Sequence, residues 1–148
     1  MAARTFDHEV VIATDPSRVH AFLGDLHNHR ELHPLIVTID DLEADPSSPG
    51  LRSYEITDRV PVGPVSIKVR YRADVEIIDD TTIRATATQR PRVRLETTYV
   101  IESAPDGARV REAVRVEAPR LLIGFVARQA ESAHAATLAA LRTHLEPT

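Results

Sequence analysis

A chain of 148 residues has the length of one domain, and 18 Lys+Arg against 22 Asp+Glu leave a formal net charge of -4. With 43% hydrophobic residues, 27% charged residues and no cysteine, the composition excludes a disordered or collagen-like chain, disulfides, thiolate metal sites and cysteine nucleophiles. No apolar run approaches the roughly 20 residues of a membrane span, and Arg4, Asp7 and Glu9 interrupt the start where a signal peptide needs an apolar core; a cytoplasmic location without membrane insertion is expected. Every basic residue but Lys68 is Arg, and the Arg residues are spread from Arg4 to Arg142. Phosphate recognition needs a clustered positive surface, so no nucleic-acid partner is expected.

In chain order, Val10-Val11-Ile12 reads as a first short strand. Asp15-Pro16 sets a capping acid before a proline at the first helical position, and Val19, Phe22, Leu23 and Leu26 then recur at helical spacing. That helix stops between Gly24 and His29, with one more turn before Pro34. Leu35 to Leu42 and Leu51 to Val60 read as strands around the Asp45-Pro46-Ser47-Ser48-Pro49-Gly50 loop, the second closed by Pro61-Val62-Gly63-Pro64. From Val65 to Ile77 apolar and polar residues alternate strictly, the mark of a strand with one dry face. The alternation returns in Ile83-Thr88, Arg92-Ile101 and Arg109-Val116, joined at Asp79-Asp80, Gln89-Arg90-Pro91 and Ala104-Pro105-Asp106-Gly107, which predicts antiparallel hairpins. Pro119 closes the last strand. Ile123, Ala127, Ala130, His134, Leu138, Leu141 and Leu145 then share one face of a long helix ending near Leu145.

One sheet and one long helix can cover each other only if the sheet curls around the helix, so the fold class is α+β with a seven-stranded antiparallel sheet. The chain resembles the START-like or SRPBCC superfamily, which includes the birch-pollen allergen and the polyketide cyclase/dehydrase-like proteins. The resemblance lies in the opening strand running into Asp15-Pro16-Ser17-Arg18-Val19, the helix with Phe22 and Asp25, His33-Pro34 before the second strand, and the final helix from Leu121 to Leu145. It covers essentially residues 1-148 as a single domain. It implies a helix-grip fold with an apolar cavity between sheet and last helix. Small residues on both faces agree with a void: Ala127, Ala130, Ala133, Ala136, Ala139 and Ala140 on the helix, and Ala73, Ala85 and Ala87 on the sheet. Close packing of helix on sheet is the alternative, since Ala is also the best helix former.

Polar residues that share parity with apolar ones would line such a cavity. Glu112 stands between Val110 and Val114 on the inward parity, where a carboxylate is expensive unless paired or protonated. Its alternative role is an acid near a strand end, paired with an Arg or reached by water. His134 lies mid-stripe on the last helix, where a satisfied core histidine is the competing reading. Expected ligand contacts are Tyr54 and Asp58 on the third strand, Val69, Tyr71 and Ala73 on the fourth, and Ala85 and Ala87 on the fifth. Leu95, Thr97 and Tyr99 on the sixth strand, Val114 on the seventh, and Ala127 and Ala130 on the helix complete the wall, with His33 facing in at the mouth. His20, His27, His29 and His33 cluster in sequence, but no His-Glu-x-x-His arrangement stands among them, so no metal is expected. Five scattered glycines and no Gly-x-Ser-x-Gly exclude a phosphate loop and a nucleophile elbow, and no cofactor is expected.

Two functions follow from this pattern. The first is binding or carriage of a small hydrophobic ligand, such as a lipid, polyketide or aromatic metabolite, by shape and a few polar anchors. The second is a cyclase or dehydratase in which Glu112 and His134 move protons on a bound chain. The two differ in whether these residues approach each other. A protein-docking role would need an exposed apolar patch, which the charged outward faces of the strands argue against. A homodimer is compatible with the sequence.

Overall fold

The computed structural model describes residues 1–90 and 92–146, so Pro91 of the expected Gln89-Arg90-Pro91 turn lies outside the described residues. The strands are β1 (Ala2–Ile12), β2 (Ile36–Asp41), β3 (Leu51–Val62), β4 (Val65–Ile77), β5 (Thr82–Gln89), β6 (Val93–Ala104) and β7 (Gly107–Ala118). The helices are α1 (Pro16–Gly24), a 3₁₀ segment (Leu26–Glu31) and α2 (Ile123–Leu145). All seven strands form one antiparallel sheet in the order β1-β7-β6-β5-β4-β3-β2, a helix-grip fold.

The first strand is much longer than the Val10–Ile12 segment expected. β1 pairs with β7 along its whole length, from Ala2 opposite Ala118 to Ile12 opposite Ala108. Its inward residues Phe6, His8, Val10 and Ile12 alternate correctly, but His8 reads as polar and Val11 breaks the pattern on the outer face. Asp15 is the N-cap residue of α1, with Pro16 in its first turn, as expected. Asp15 makes no side-chain cap bond, whereas Asp25 accepts the His27 N–H at 3.0 Å and starts the 3₁₀ segment. That cap turns the chain so that His29 is buried and the following loop carries His33 back over the sheet.

Two glycines serve the topology. Gly107 begins β7 with φ 143°, and a Cβ there would lie 2.1 Å from the Ile12 carbonyl oxygen, so only glycine lets the β6–β7 hairpin approach the end of β1. Gly63, with φ 61°, makes the tight β3–β4 tip. At the far end Glu146 accepts the Ala13 N–H at 3.2 Å, tying the end of α2 to the end of β1. The core divides in two. One cluster gathers Val19, Leu23, Tyr54, Ile83, Ile101, Leu138 and Leu141 under α1; a smaller one holds Val114, Val116, Ile123 and Ala130 beneath the start of α2. Between them the layers do not close.

Candidate functional site

The gap is a cavity of about 330 Å³ between α2 and the curved sheet. Its width follows from side-chain size: Ala130 and Ala133 on the helix face Ala73, Ala85 and Ala87 on the sheet. Ala136 and Ala139 point to solvent and contribute nothing to it. Val69, Ile67, Leu95 and Phe125 make most of the remaining wall apolar, while Asp58, Tyr71, Thr97, Tyr99, His29, His33 and His134 supply polar groups.

One polar centre is built around Glu112. Cross-strand register sets Glu112 between His8 on β1 and Tyr99 on β6, all with side chains on the inner face. α2 brings His134 over it, with Nδ1 2.9 Å from Glu112 Oε2. Glu112 is wholly buried, and its Oε1 has no hydrogen-bond partner among the described residues. An ionised carboxylate only accepts, so the His134 Nδ1–H donates to it. Glu112 itself does not line the cavity; it is joined to the lumen through His134, which does.

Three more histidines surround this pair. The ring of His33 stands 6.3 Å from that of His134, and His29 lies 6.4 Å from Tyr99. Burial pushes His29 down to about 4, against a weaker opposing pull from the Leu23 backbone, and its Nε2 has no partner. Burial, reinforced by His134 and His29, pushes His33 down to about 3. His33 Nδ1 accepts the Leu35 N–H at 3.3 Å, so the neutral ring carries its hydrogen on Nε2 and is a donor in the wall. Tyr99 is pushed well above the usual phenol range by burial and by the charge on Glu112, so its hydroxyl stays protonated. Among the described residues no three His, Asp or Glu side chains are arranged to hold a metal ion.

A second polar centre lies on β3 and β4. Tyr71 donates to Asp58 Oδ1 at 3.2 Å, and burial raises the Asp58 carboxyl to about 6 despite that hydrogen bond. The cavity thus has a carboxyl–phenol pair as well as the histidine group, with apolar wall between.

Of the residues expected at the ligand, His33, Asp58, Val69, Tyr71, Ala73, Ala85, Ala87, Leu95, Thr97, Tyr99 and Ala130 line this cavity together with His134. Tyr54, Val114 and Ala127 do not. Tyr54 has the right parity but sits farther along β3, in the closed core with Val19, Leu23 and Leu26. Val114 is taken up by the apolar seam under α2, and Ala127 is buried without reaching the lumen. Parity assigns a face and not a depth along the strand. His8 and His29 were missed as members of the polar group. The Phe6-His8-Val10-Ile12 alternation carried the signal for His8; nothing periodic marks His29.

The chain matches, over residues 3–146, the family described as polyketide cyclase / dehydrase and lipid transport. It belongs to that family. Comparison with curated proteins yields no match. Among solved structures it is similar to the di-domain ARO/CYC BexL from the BE-7585A biosynthetic pathway, with 17% identity, 99% of this chain and 51% of BexL covered, and a TM-score of 0.79. It is also similar to the Zhui aromatase/cyclase from Streptomyces sp. R1128, with 15% identity, coverage of 97% and 93%, and a TM-score of 0.72. A third is Ara h 8.0201, with 17% identity, coverage of 95% and 98%, and a TM-score of 0.63. The chain spans about half the length of the di-domain proteins BexL and StfQ. At these identities the similarities establish the helix-grip fold. No helix among the described residues is long and apolar enough to cross a membrane.

Proposed function

We propose that this protein binds a small, largely apolar molecule in the cavity between α2 and the sheet, holding its polar groups at the His33–His134 side and at the Asp58–Tyr71 pair. The observation that carries this reading is a largely apolar lumen of about 330 Å³ that opposed alanines leave unfilled between α2 and the sheet. A void of this size would destabilise the fold without a use for it, and an apolar wall with a few fixed polar groups is how small-molecule sites are built. A flat polycyclic or extended polyketide-like molecule with oxygens at separated positions suits the two polar centres. The test is a solvent-sensitive apolar dye. It should bind once per chain, be displaced by flat aromatic compounds or fatty acids, and be lost in Ala130→Trp and in Ala85→Phe, which fill the lumen from opposite walls. Equal binding by both folded variants would sink the cavity assignment.

The 2.9 Å contact between His134 and Glu112 favours a second reading, an acid–base enzyme of the cyclase or dehydratase type. His134 Nε2 would take a proton from carbon or deliver one to a departing hydroxyl, and Glu112 would stabilise the imidazolium formed and hold the ring. Neutral His33 and Tyr99 would donate hydrogen bonds to an enolate or carbonyl oxygen. His134 is then the catalytic residue, and Glu112 is a positioning residue acting through it. For a polyketide-type substrate, Glu112→Gln should cut turnover by roughly 10²–10⁴-fold while affinity stays within a few-fold. Unchanged turnover in that variant would remove the dyad from the chemistry.

A further inference from the structure

Three tips frame the mouth of the cavity: the β3–β4 turn, the β5–β6 turn, and the connection from β7 into α2. Two of them expose large apolar side chains. Val65 is 60% and Ile67 49% exposed on the hairpin; Leu121 is 97% and Phe125 48% exposed at the start of α2. Ile67 and Phe125 also line the lumen, so patch and cavity are one continuous apolar surface. The patch lies on turns and a helix start, not on the alternating strand faces where the sequence pattern argued against one. Exposed apolar surface of this extent at an opening marks an interaction site.

The charges around it are of one sign. Arg59 and Lys68 are cross-strand partners just below the hairpin tip, Arg90 and Arg92 flank the β5–β6 turn, and Arg120 and Arg128 bracket Leu121 and Phe125. All are exposed, and among the described residues none forms an ion pair. Residues 59–70, 86–95 and 118–130 contain no Asp or Glu, in a chain whose net charge is -4. Arg residues that look dispersed in sequence are gathered by the fold at one end.

We infer that this end docks peripherally on an anionic lipid bilayer. Val65, Leu121 and Phe125 enter the interface, the surrounding Arg and Lys meet lipid phosphates, and the mouth opens toward the acyl region. An apolar ligand then passes between bilayer and lumen without crossing water. A second copy of this chain does not fit the face, because it would bring two acid-free basic rings together. A nucleic acid would desolvate the apolar tips with little return. An acidic protein offers similar charge, but the apolar side chains stand on separate tips around an opening, not along a groove that a helix could fill. Docking rests on this surface alone and is separable from the ligand reading.

The experiment is co-flotation of the full chain with phosphatidylcholine vesicles, and with the same vesicles containing a minority of phosphatidylglycerol. Binding is expected only to the anionic vesicles and should fade as salt is raised. Leu121→Asp and Val65→Asp should each weaken it by about tenfold or more, and Arg90→Glu and Arg120→Glu by about fivefold or more each. Ile78→Asp, at the opposite end of the β4–β5 hairpin and also exposed, should bind vesicles as the parent does. The tip variants should still bind the cavity dye, which separates failure of docking from failure of the cavity. No binding to anionic vesicles, binding indifferent to both tip variants, or binding of an acidic carrier protein with vesicles ignored would each overturn the inference.

Discussion

Replacing His134 with Ala should lower folding stability by about 3–5 kcal/mol at neutral pH, because it removes the hydrogen-bond partner of a carboxylate that is otherwise sealed inside the protein. Glu112 is 0% exposed, its Oε1 already lacks a partner, and its Oε2 is held by His134 Nδ1. Taking away one member of a buried pair costs more than the pair itself contributes, since the remaining charge keeps its desolvation penalty and loses its compensation. The same reasoning predicts a rescue. Glu112→Gln in the His134→Ala chain buries a neutral amide instead of a charge, and should recover most of the lost stability. Denaturant unfolding of parent, both single variants and the double variant closes the cycle. A loss near 0.5 kcal/mol for His134→Ala, or no recovery in the double variant, would show that water reaches Glu112 and that the pair is not sealed.

Much of this pair is legible in the sequence, and the reasons are periodic. A strand alternates faces every residue, so Val110, Glu112 and Val114 had to point the same way; a helix repeats every three to four, so His134 had to share a face with Ala130 and Leu138. The same two periods put Tyr71, Asp58 and Tyr99 on the inner face. What periodicity cannot supply is position along an element or the meeting of distant turns. Tyr54 and Val114 have the correct parity and the wrong depth. His8 was hidden because a histidine in a strand counts as polar until its cross-strand neighbour, Glu112, is known. Asp15 stands at the N-cap of α1 before Pro16 as its sequence position implies, without a side-chain cap bond, whereas the cap made by Asp25 on the 3₁₀ segment depends on where the chain turns after α1. The basic mouth was unreadable for a like reason. Arg59, Arg90 and Arg120 are far apart in sequence and come together only when three connections are folded onto one end of the sheet.

Acid should unfold this protein earlier than a chain of its composition would suggest, and the histidines of the cavity set the window. His29 and His33 have folded values of about 4 and about 3, both below the ordinary 6.5. Below pH 6.5 the unfolded chain takes up these protons and the folded chain does not, so stability falls as pH drops from 6.5 toward 4. At about 1.4 kcal/mol per pH unit per proton, each buried ring removes about 3 kcal/mol by pH 4. Asp58 works in the opposite direction. Its folded value is raised to about 6 from 3.8, so the folded chain binds a proton first and gains stability as pH falls between these values, by about 3 kcal/mol at most. The net expectation is a loss of about 3 kcal/mol between pH 6.5 and 4, measured by urea midpoints across that range. Asp58→Asn removes the opposing group and should steepen the loss toward about 6 kcal/mol, whereas His29→Gln should flatten it. Asp58→Asn leaving the slope unchanged would show that this carboxyl is already ionised in the folded cavity. A stability that rises from pH 6.5 to 4 in the parent protein would show that His29 and His33 are reached by solvent, and that the polar side of the cavity is open.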